Sequence, residues 1–346
     1  MLLTAIVAAG TAFAGQVEKK KEITYESPTD AYTVMKIDSR FSDIDLRHWN
    51  KDKAEIRAFI LVKGKNEKKA SEYLEDVKIE INKKGNVICI EDEIPDHNKQ
   101  KNEDIRITYS ILIPAGIPID LNQQFGTLQL PGDNPSVCTL NIRFGNVTGG
   151  NFHSLLTLKS AFSKIKLGNL QNARLDLIHS DKVSIGNGSN VDANLQFTSL
   201  ETGNIDGIIL KTQHGDLKAG TCNRANVNSQ FSEIVFGGIL NSLEMEHLTH
   251  SSLNVKELSS GFSSVHINAS FSEARMNLAR ETAFGLDAVT RFGDIKLNRT
   301  FKLLTDPRDT QQEPYTKKFI GPVNGGSKKE IIFEGQHSTL YIDPSR

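Results

Sequence analysis

Between residues 111 and 300 apolar and polar side chains alternate in short runs, as in "LDLIHSDKVSI" (175–185) and "ANVNSQFSEIVF" (225–236). A period of two is the signature of a half-buried strand, and the 3.6-residue period of an amphipathic helix is missing from this stretch. The runs are also near-copies of one another: "RFSDIDL" (40–46), "AFSKIKL" (161–167), "QFSEIVF" (230–236) and "RFGDIKL" (291–297) share one pattern.

Aligned on the Phe of that pattern, the chain yields ten markers in sequence: Phe125, Phe144, Phe162, His179, Phe197, His214, Phe231, His250, Phe271 and Phe292, spaced 17–21 residues apart. Such self-similarity marks a repeat architecture. The residue after each marker is Gly, Ser or Thr, as a tight corner requires. Three or four places beyond each marker, and four places before it, the residue is apolar at nineteen of twenty positions, Glu246 being the exception. Each repeat is therefore expected to be a strand, a corner and a second strand, with Ile165 and Ile234 pointing inward. A unit that buries about four apolar side chains cannot meet the entropy of ordering its own backbone, so the copies must stack.

Propeller blades need about 40–50 residues, more than twice this period. A sandwich would not hold one residue type at one register ten times. These considerations predict an all-β fold, a parallel β-solenoid (β-helix) of 17–21-residue repeats over 116–300. The pattern leaves open whether one coil holds one repeat or two.

Two further copies lie outside the array, Phe41-Ser42 with Ile44 and Leu46, and His337-Ser338 with Leu340 and Ile342. Residues 15–115 read as a strand-rich N-terminal cap region containing one short helix, "NEKKASEYLEDV" (66–77), and a hairpin turning at Lys84-Gly85. Residues 301–346, with three prolines and a Gly-Gly-Ser stretch before residue 330, read as a long loop followed by a C-terminal hairpin cap.

The [FH]-[GS]-x-[ILV]-x-[ILV] copies, preceded by a charged strand-rich region and by "YSILIPAGIPIDL" (109–121), resemble the bacterial adhesin-like families that include the auto-transporter adhesin head GIN domain. The resemblance spans about residues 30–342. It implies an exported β-helical protein, and it supplies no catalytic residues to carry over.

Composition changes the picture at the ends and in the charge. "MLLTAIVAAGTAFAGQ" is an apolar run closed by Ala12-Phe13-Ala14 and reads as a signal peptide, residues 1–14, cleaved before Gly15. It is too short to span a bilayer, and its alternative is a buried N-terminal strand or helix. Export to the periplasm or the cell surface follows, with no transmembrane span. With 41 basic and 42 acidic residues the formal charge is −1, which offers no field for nucleic acid. Charges crowd into residues 17–110 and thin out beyond them. Three cysteines give no disulfide framework, and Cys89 and Cys138 fall in alternating apolar runs as small hydrophobes.

Chemistry is harder to find. His179, His214 and His250 recur at 35 and 36 residues and could form a metal-binding column, yet each takes a slot that Phe takes elsewhere, so a partly buried corner side chain suffices. Asp181, Asp216 and Asp294 follow small residues, but the glycine-rich nonapeptide spacing of a calcium roll is missing. The outward positions are a dispersed mix, among them Asp176, Asn194 and Lys211 before the markers and Lys166, Glu201, Lys218 and Arg275 after them. No outward stripe of aromatics for stacking on sugars is expected, and the single Trp, Trp49, lies in the cap. The expectation is a non-enzymatic cell-envelope protein with no catalytic, cofactor or metal residues. It would bind or scaffold an unknown protein or glycan partner. A periplasmic envelope-stress accessory protein and a β-helical polysaccharide-active enzyme are the alternatives.

Overall fold

A computed structural model of the chain describes residues 2–8, 12–13, 16–94, 104–304 and 314–345. Apart from one helix the regular elements among the described residues are strands, mostly paired in parallel. The chain divides into two compact units, residues 1–169 and 170–346. The boundary expected near residue 115 falls inside the first.

In the first unit, the strands Val34–Arg40 and Ser42–Trp49 meet at Phe41 and form one coil. Ile119–Gln129 stacks on it in parallel, Leu121 opposite Ile37 and Leu128 opposite Ile44. Cys138–Thr148 follows one repeat later, Leu140 opposite Leu121 and Val147 opposite Leu128. The upstream copy at Phe41 is thus the spatial neighbour of the copy at Phe125. Because identical register positions stack, inward residues form ladders: Ile37, Leu121, Leu140 and Leu158 on one strand, Ile44, Leu128, Val147 and Ile165 on the other, all buried.

Below the Phe41 coil, Val87–Glu93 and Asp104–Pro114 continue the parallel pairing. Antiparallel strands then close the sheet: Lys78–Lys84 across the Gly85 turn, and Lys53–Gly64 followed by Gln16–Pro28. The helix runs Glu67–Asp76, starts where the Asn66 side chain accepts the Lys69 N–H at 2.9 Å, and buries Ala70, Tyr73 and Leu74. The expected helix and the turn after Lys84 are both present. Leu2–Ala8, within the expected signal peptide, is a strand paired antiparallel with Gln16–Pro28. Ala14 and Gly15, the expected processing site, lie outside the described residues.

In the second unit one coil holds one repeat. Ladders run Leu175, Ala193, Leu210, Val227, Met245 and Ile267 before the corners, and Val183, Leu200, Leu217, Ile234, Leu253 and Ala274 after them. The exception at Glu246 has a local cause. Val227 pairs with Met245 and Asn228 with His247, so a bulge gives Met245 the inward slot and leaves Glu246 exposed. Cys89, Cys138 and Cys222 are free and buried, and burial pushes the Cys138 and Cys222 thiols up to about 12.

The C-terminal region departs from expectation. Glu330–Gln336 and Thr339–Pro344 are not a hairpin. They bend at His337 into a coil whose strands pair in parallel on both sides, with Ser264–Ser270 and Glu273–Leu278 on one edge and Phe284–Arg291 and Asp294–Leu297 on the other. The two strands do not form a hairpin because His337 turns the chain through the same corner as every other marker, and the last coil in sequence sits between the two that precede it. Nor is 301–330 simply a loop: Thr316–Val323 pairs antiparallel with Phe284–Arg291 and covers its outer edge, while residues 305–313 of that stretch lie outside the described residues.

The core ladder generates the first prediction. Ile234 is fully buried and Glu233 exposed, so Ile234→Asp should lose several kcal/mol by burying an unpaired carboxylate. Glu233→Ala should change stability by only about a few tenths of a kcal/mol. Equal effects in denaturant melts would contradict the register.

Candidate binding surface

The corner is the recurring local structure of both units. All twelve markers have positive φ, from 46° at His250 to 59° at Phe41 and Phe125. For a bulky side chain the left-handed conformation costs roughly 1–2 kcal/mol. The sequence suggested that the small residue after the marker makes the turn. In the structure the marker makes it, and among the glycines that follow markers only Gly126 has positive φ.

The small residue serves a different purpose. Its hydroxyl is buried and donates to the carbonyl two residues back: Ser232 Oγ to Gln230 O at 2.9 Å, Ser251 Oγ to Thr249 O at 2.8 Å, Ser272 Oγ to Ser270 O at 2.8 Å. The same oxygen accepts an N–H from the neighbouring coil: Gly215 N to Ser232 Oγ at 3.2 Å, Ser232 N to Ser251 Oγ at 3.1 Å, Ser251 N to Ser272 Oγ at 3.0 Å, Ser272 N to Ser338 Oγ at 3.1 Å. Groups that the turn removes from the strand ladder are thereby satisfied inside the core. At three of the four Gly corners a polar side chain two places before the marker takes over, namely Gln123, Thr212 and Thr290, whereas at Gly145 that place is held by Ile142. Thr290 Oγ1 donates to Ser338 O at 3.0 Å, and a Cβ on Gly293 would lie 2.0 Å from that same oxygen.

Turning through the left-handed region throws the marker side chain outward. The exposed Phe markers are 43–51% accessible. Their rings stack face to face, in the first unit as Phe41, Phe125, Phe144 and Phe162 with centroids 4.6–5.0 Å apart. The second unit stacks His179, Phe197, His214, Phe231, His250, Phe271, His337 and Phe292 in that spatial order, at 4.6–5.0 Å, and Tyr315 adds a further ring at 5.2 Å. The spacing is that of adjacent strands, so the backbone imposes the stack. Each contact returns about 0.5–1.5 kcal/mol, comparable to the strain of one corner. The expectation of no outward aromatic stripe is therefore overturned. Alternation cannot show it, because the marker sits at the one residue where strand geometry is interrupted.

In the second unit His and Phe alternate strictly in space, and the inserted His337 falls between Phe271 and Phe292. Successive histidines are thus two coils from one another, on the order of 10 Å, too far to share an ion. Among the described residues no group of three or more His, Cys, Asp or Glu side chains is placed to hold a metal. Asp216 Oδ1 accepts the Glu233 N–H at 2.9 Å, and Asp294 pairs with Lys317 at 2.6 Å, which holds its carboxyl below the usual range. Those two Asp residues fasten corners, as Asp43 does for the Thr127 N–H.

Polar ladders flank the column. Asn194 Nδ2 donates to Asp176 Oδ1 at 3.0 Å, Lys218 pairs with Glu201 at 2.9 Å, and Arg275 lies 4.1 Å from the Tyr341 ring centroid while bonding Asp343. A second corner also escaped the sequence reading: Asn151 Oδ1 accepts the Asn169 N–H, Asn187 Oδ1 the Asn204 N–H and Asn204 Oδ1 the Thr221 N–H, at 2.8–2.9 Å. The recurring dipeptide Gly-Asn at 150–151, 168–169, 186–187 and 203–204 was the available signal. At the Phe41 coil Asp92 accepts from Arg40 N, Ser39 Oγ and Tyr109 OH. Burial raises its pKa against the pull of those bonds. Arg40 lies 5.2 Å from the Phe41 centroid.

No protein-family model matches the chain, and no curated protein matches it. Among solved structures the chain is similar to a candidate cell adhesion protein from Clostridium sporogenes ATCC 15579, at 14% identity over 93% of this chain and 98% of that one, with a TM-score of 0.19. A score that low carries no argument about this chain. No helix among the described residues is long and apolar enough to cross a membrane.

The corner predicts an unusual mutational order. Phe231→Ala loses the stack and keeps the strain, whereas Phe231→Gly loses the stack and relieves it. The Gly variant should be the more stable of the two by about 1 kcal/mol, measured by urea unfolding. The reverse order, which is normal for a strand, would contradict the left-handed corner.

Proposed function

We propose that this chain is a non-enzymatic, exported protein of the cell envelope that serves as an adhesin-like binding or scaffold surface. The observation that carries this reading is the aromatic column between polar ladders, repeated at strand spacing from coil to coil. A partner that touches one coil meets the same chemistry on the next, so an extended protein or glycan can gather many weak contacts. The N-terminal run ending in Ala12-Phe13-Ala14 supports export.

Two measurements test the reading together. N-terminal sequencing of the protein from its native host should begin at Gly15, and antibody against a C-terminal tag should label intact cells. An intact Met1 would remove the export assignment. Labelling only after the envelope is opened would remove surface display, and turnover of any member of a polysaccharide panel would replace the binding role with an enzymatic one.

A further inference from the structure

The inner rings of the second unit's column are covered on both faces by their neighbours at 4.6–5.0 Å. A planar ligand or a sugar therefore finds no ring face to stack on, and the column meets its surroundings through ring edges. It is an apolar ridge of eight rings, His179 through Phe292, ~34 Å long at strand spacing. Its Phe members are 44–50% accessible and its His members exposed. A half-exposed aromatic ring offers ~100 Å², so eight offer ~800 Å². That is more than the about 300–600 Å² of the largest apolar patch on a typical monomer, and it equals the ~800 Å² that one partner contributes to a standard-size protein interface.

The two borders of the ridge differ in chemistry. One place before the markers, on one side, stand Gln196, Gln213, Gln230, Gln336 and Arg291, and that row holds no carboxylate. Two places after the markers, on the other side, stand Asp181, Asp216, Glu233, Glu273 and Asp294, and that row holds no cation. The match runs coil by coil: Gln213 and Asp216 border His214, Gln230 and Glu233 border Phe231, Ser270 and Glu273 border Phe271, Arg291 and Asp294 border Phe292. Among the coils that carry a carboxylate, only that of His179, with Ile178 across from Asp181, lacks the donor. A donor on one side and an acceptor on the other, at the same height, make the ridge complementary to a copy of itself turned about an axis along the stack. Turned about an axis across the stack, the acidic row would meet the acidic row.

We propose that this column seats a homodimer, in which a second copy of the chain lies alongside with its stack parallel, ring edges against ring edges and each donor row against the other copy's carboxylate row. The proposal rests on the reading of the column as a binding surface and names its partner. Glu273 and Asp294 are already paired with Arg275 and Lys317, so the test falls on Gln230, which would face Glu233 of the second copy.

Interfaces of this size bind between micromolar and picomolar, so fluorescence-detected sedimentation of the full chain from about 1 nM to 100 μM should show the mass of two chains, dissociating on dilution or held throughout. Gln230→Lys should tighten the dimer roughly tenfold and Gln230→Glu loosen it by a similar factor, because the two-fold axis creates each exposed charge contact twice. Phe197→Asn combined with Phe231→Asn, asparagine being tolerated in the left-handed region, should cost more than about tenfold in affinity in a variant whose circular dichroism matches the parent. A monomer at every concentration, or a dimer indifferent to the double Asn variant, would overturn the proposal, and a dimer weakened by Gln230→Lys would overturn the parallel arrangement. A monomeric chain that still labels intact cells would sink the homodimer and leave the envelope reading standing, whereas a dimer in a chain that keeps Met1 would do the opposite.

Discussion

Parallel strands set about 4.8 Å apart bring every residue face to face with its counterpart one repeat away, and most of this structure follows from that single constraint. An apolar residue stacks on an apolar residue and gives a continuous core. A serine stacks on a serine and gives a chain of buried hydroxyls, each a donor to its own coil and an acceptor for its neighbour. An aromatic ring stacks on an aromatic ring at a distance the backbone has already chosen. The chain needs no separate device for each contact, only the same residue type at the same register.

The corner shows what such repetition permits. A Phe held at φ near 50° would be a liability in an isolated turn. Here strain, ring stacking and the hydroxyl ladder are of similar size, about 1 kcal/mol each, and the last two exist only when a neighbouring coil is present. Stability is therefore cooperative between coils. The ends need special provision, and they have it: Asp92 and Arg40 at the Phe41 coil, Tyr315 and the antiparallel strand Thr316–Val323 at the Phe292 coil. Charged residues on that covering strand, Lys317 and Lys318, also suit an edge that must not recruit another chain.

Much of the fold was legible from the sequence. All twelve markers are corners, the inward positions are buried, and the helix and the Lys84-Gly85 turn stand where capping and turn chemistry put them. Three features were not legible, for physical reasons. The outward throw of Phe and His depends on a dihedral angle that hydropathy does not encode. The slip at Glu246 arises from a bulge, which shifts register without changing composition. The insertion of the His337 coil between the Phe271 and Phe292 coils is a matter of spatial order, and a repeat alignment records only chain order. The candidate surface suffered most from the first of these, because the marker reads from sequence as a partly buried corner side chain and in the structure is its most exposed feature.

The central claim is that coils stack in register, and in a spatial order that the C-terminal coil interrupts. Disulfide trapping between outward positions tests it most directly. Asn268 lies opposite Glu334 in the inserted coil, so Asn268→Cys and Glu334→Cys should form a bridge on mild oxidation without loss of fold, the Cα separation of paired strands being within disulfide reach. If instead Asn268→Cys bridges to Val289→Cys, the corresponding position of the next coil in sequence, the coils follow chain order and the account is contradicted.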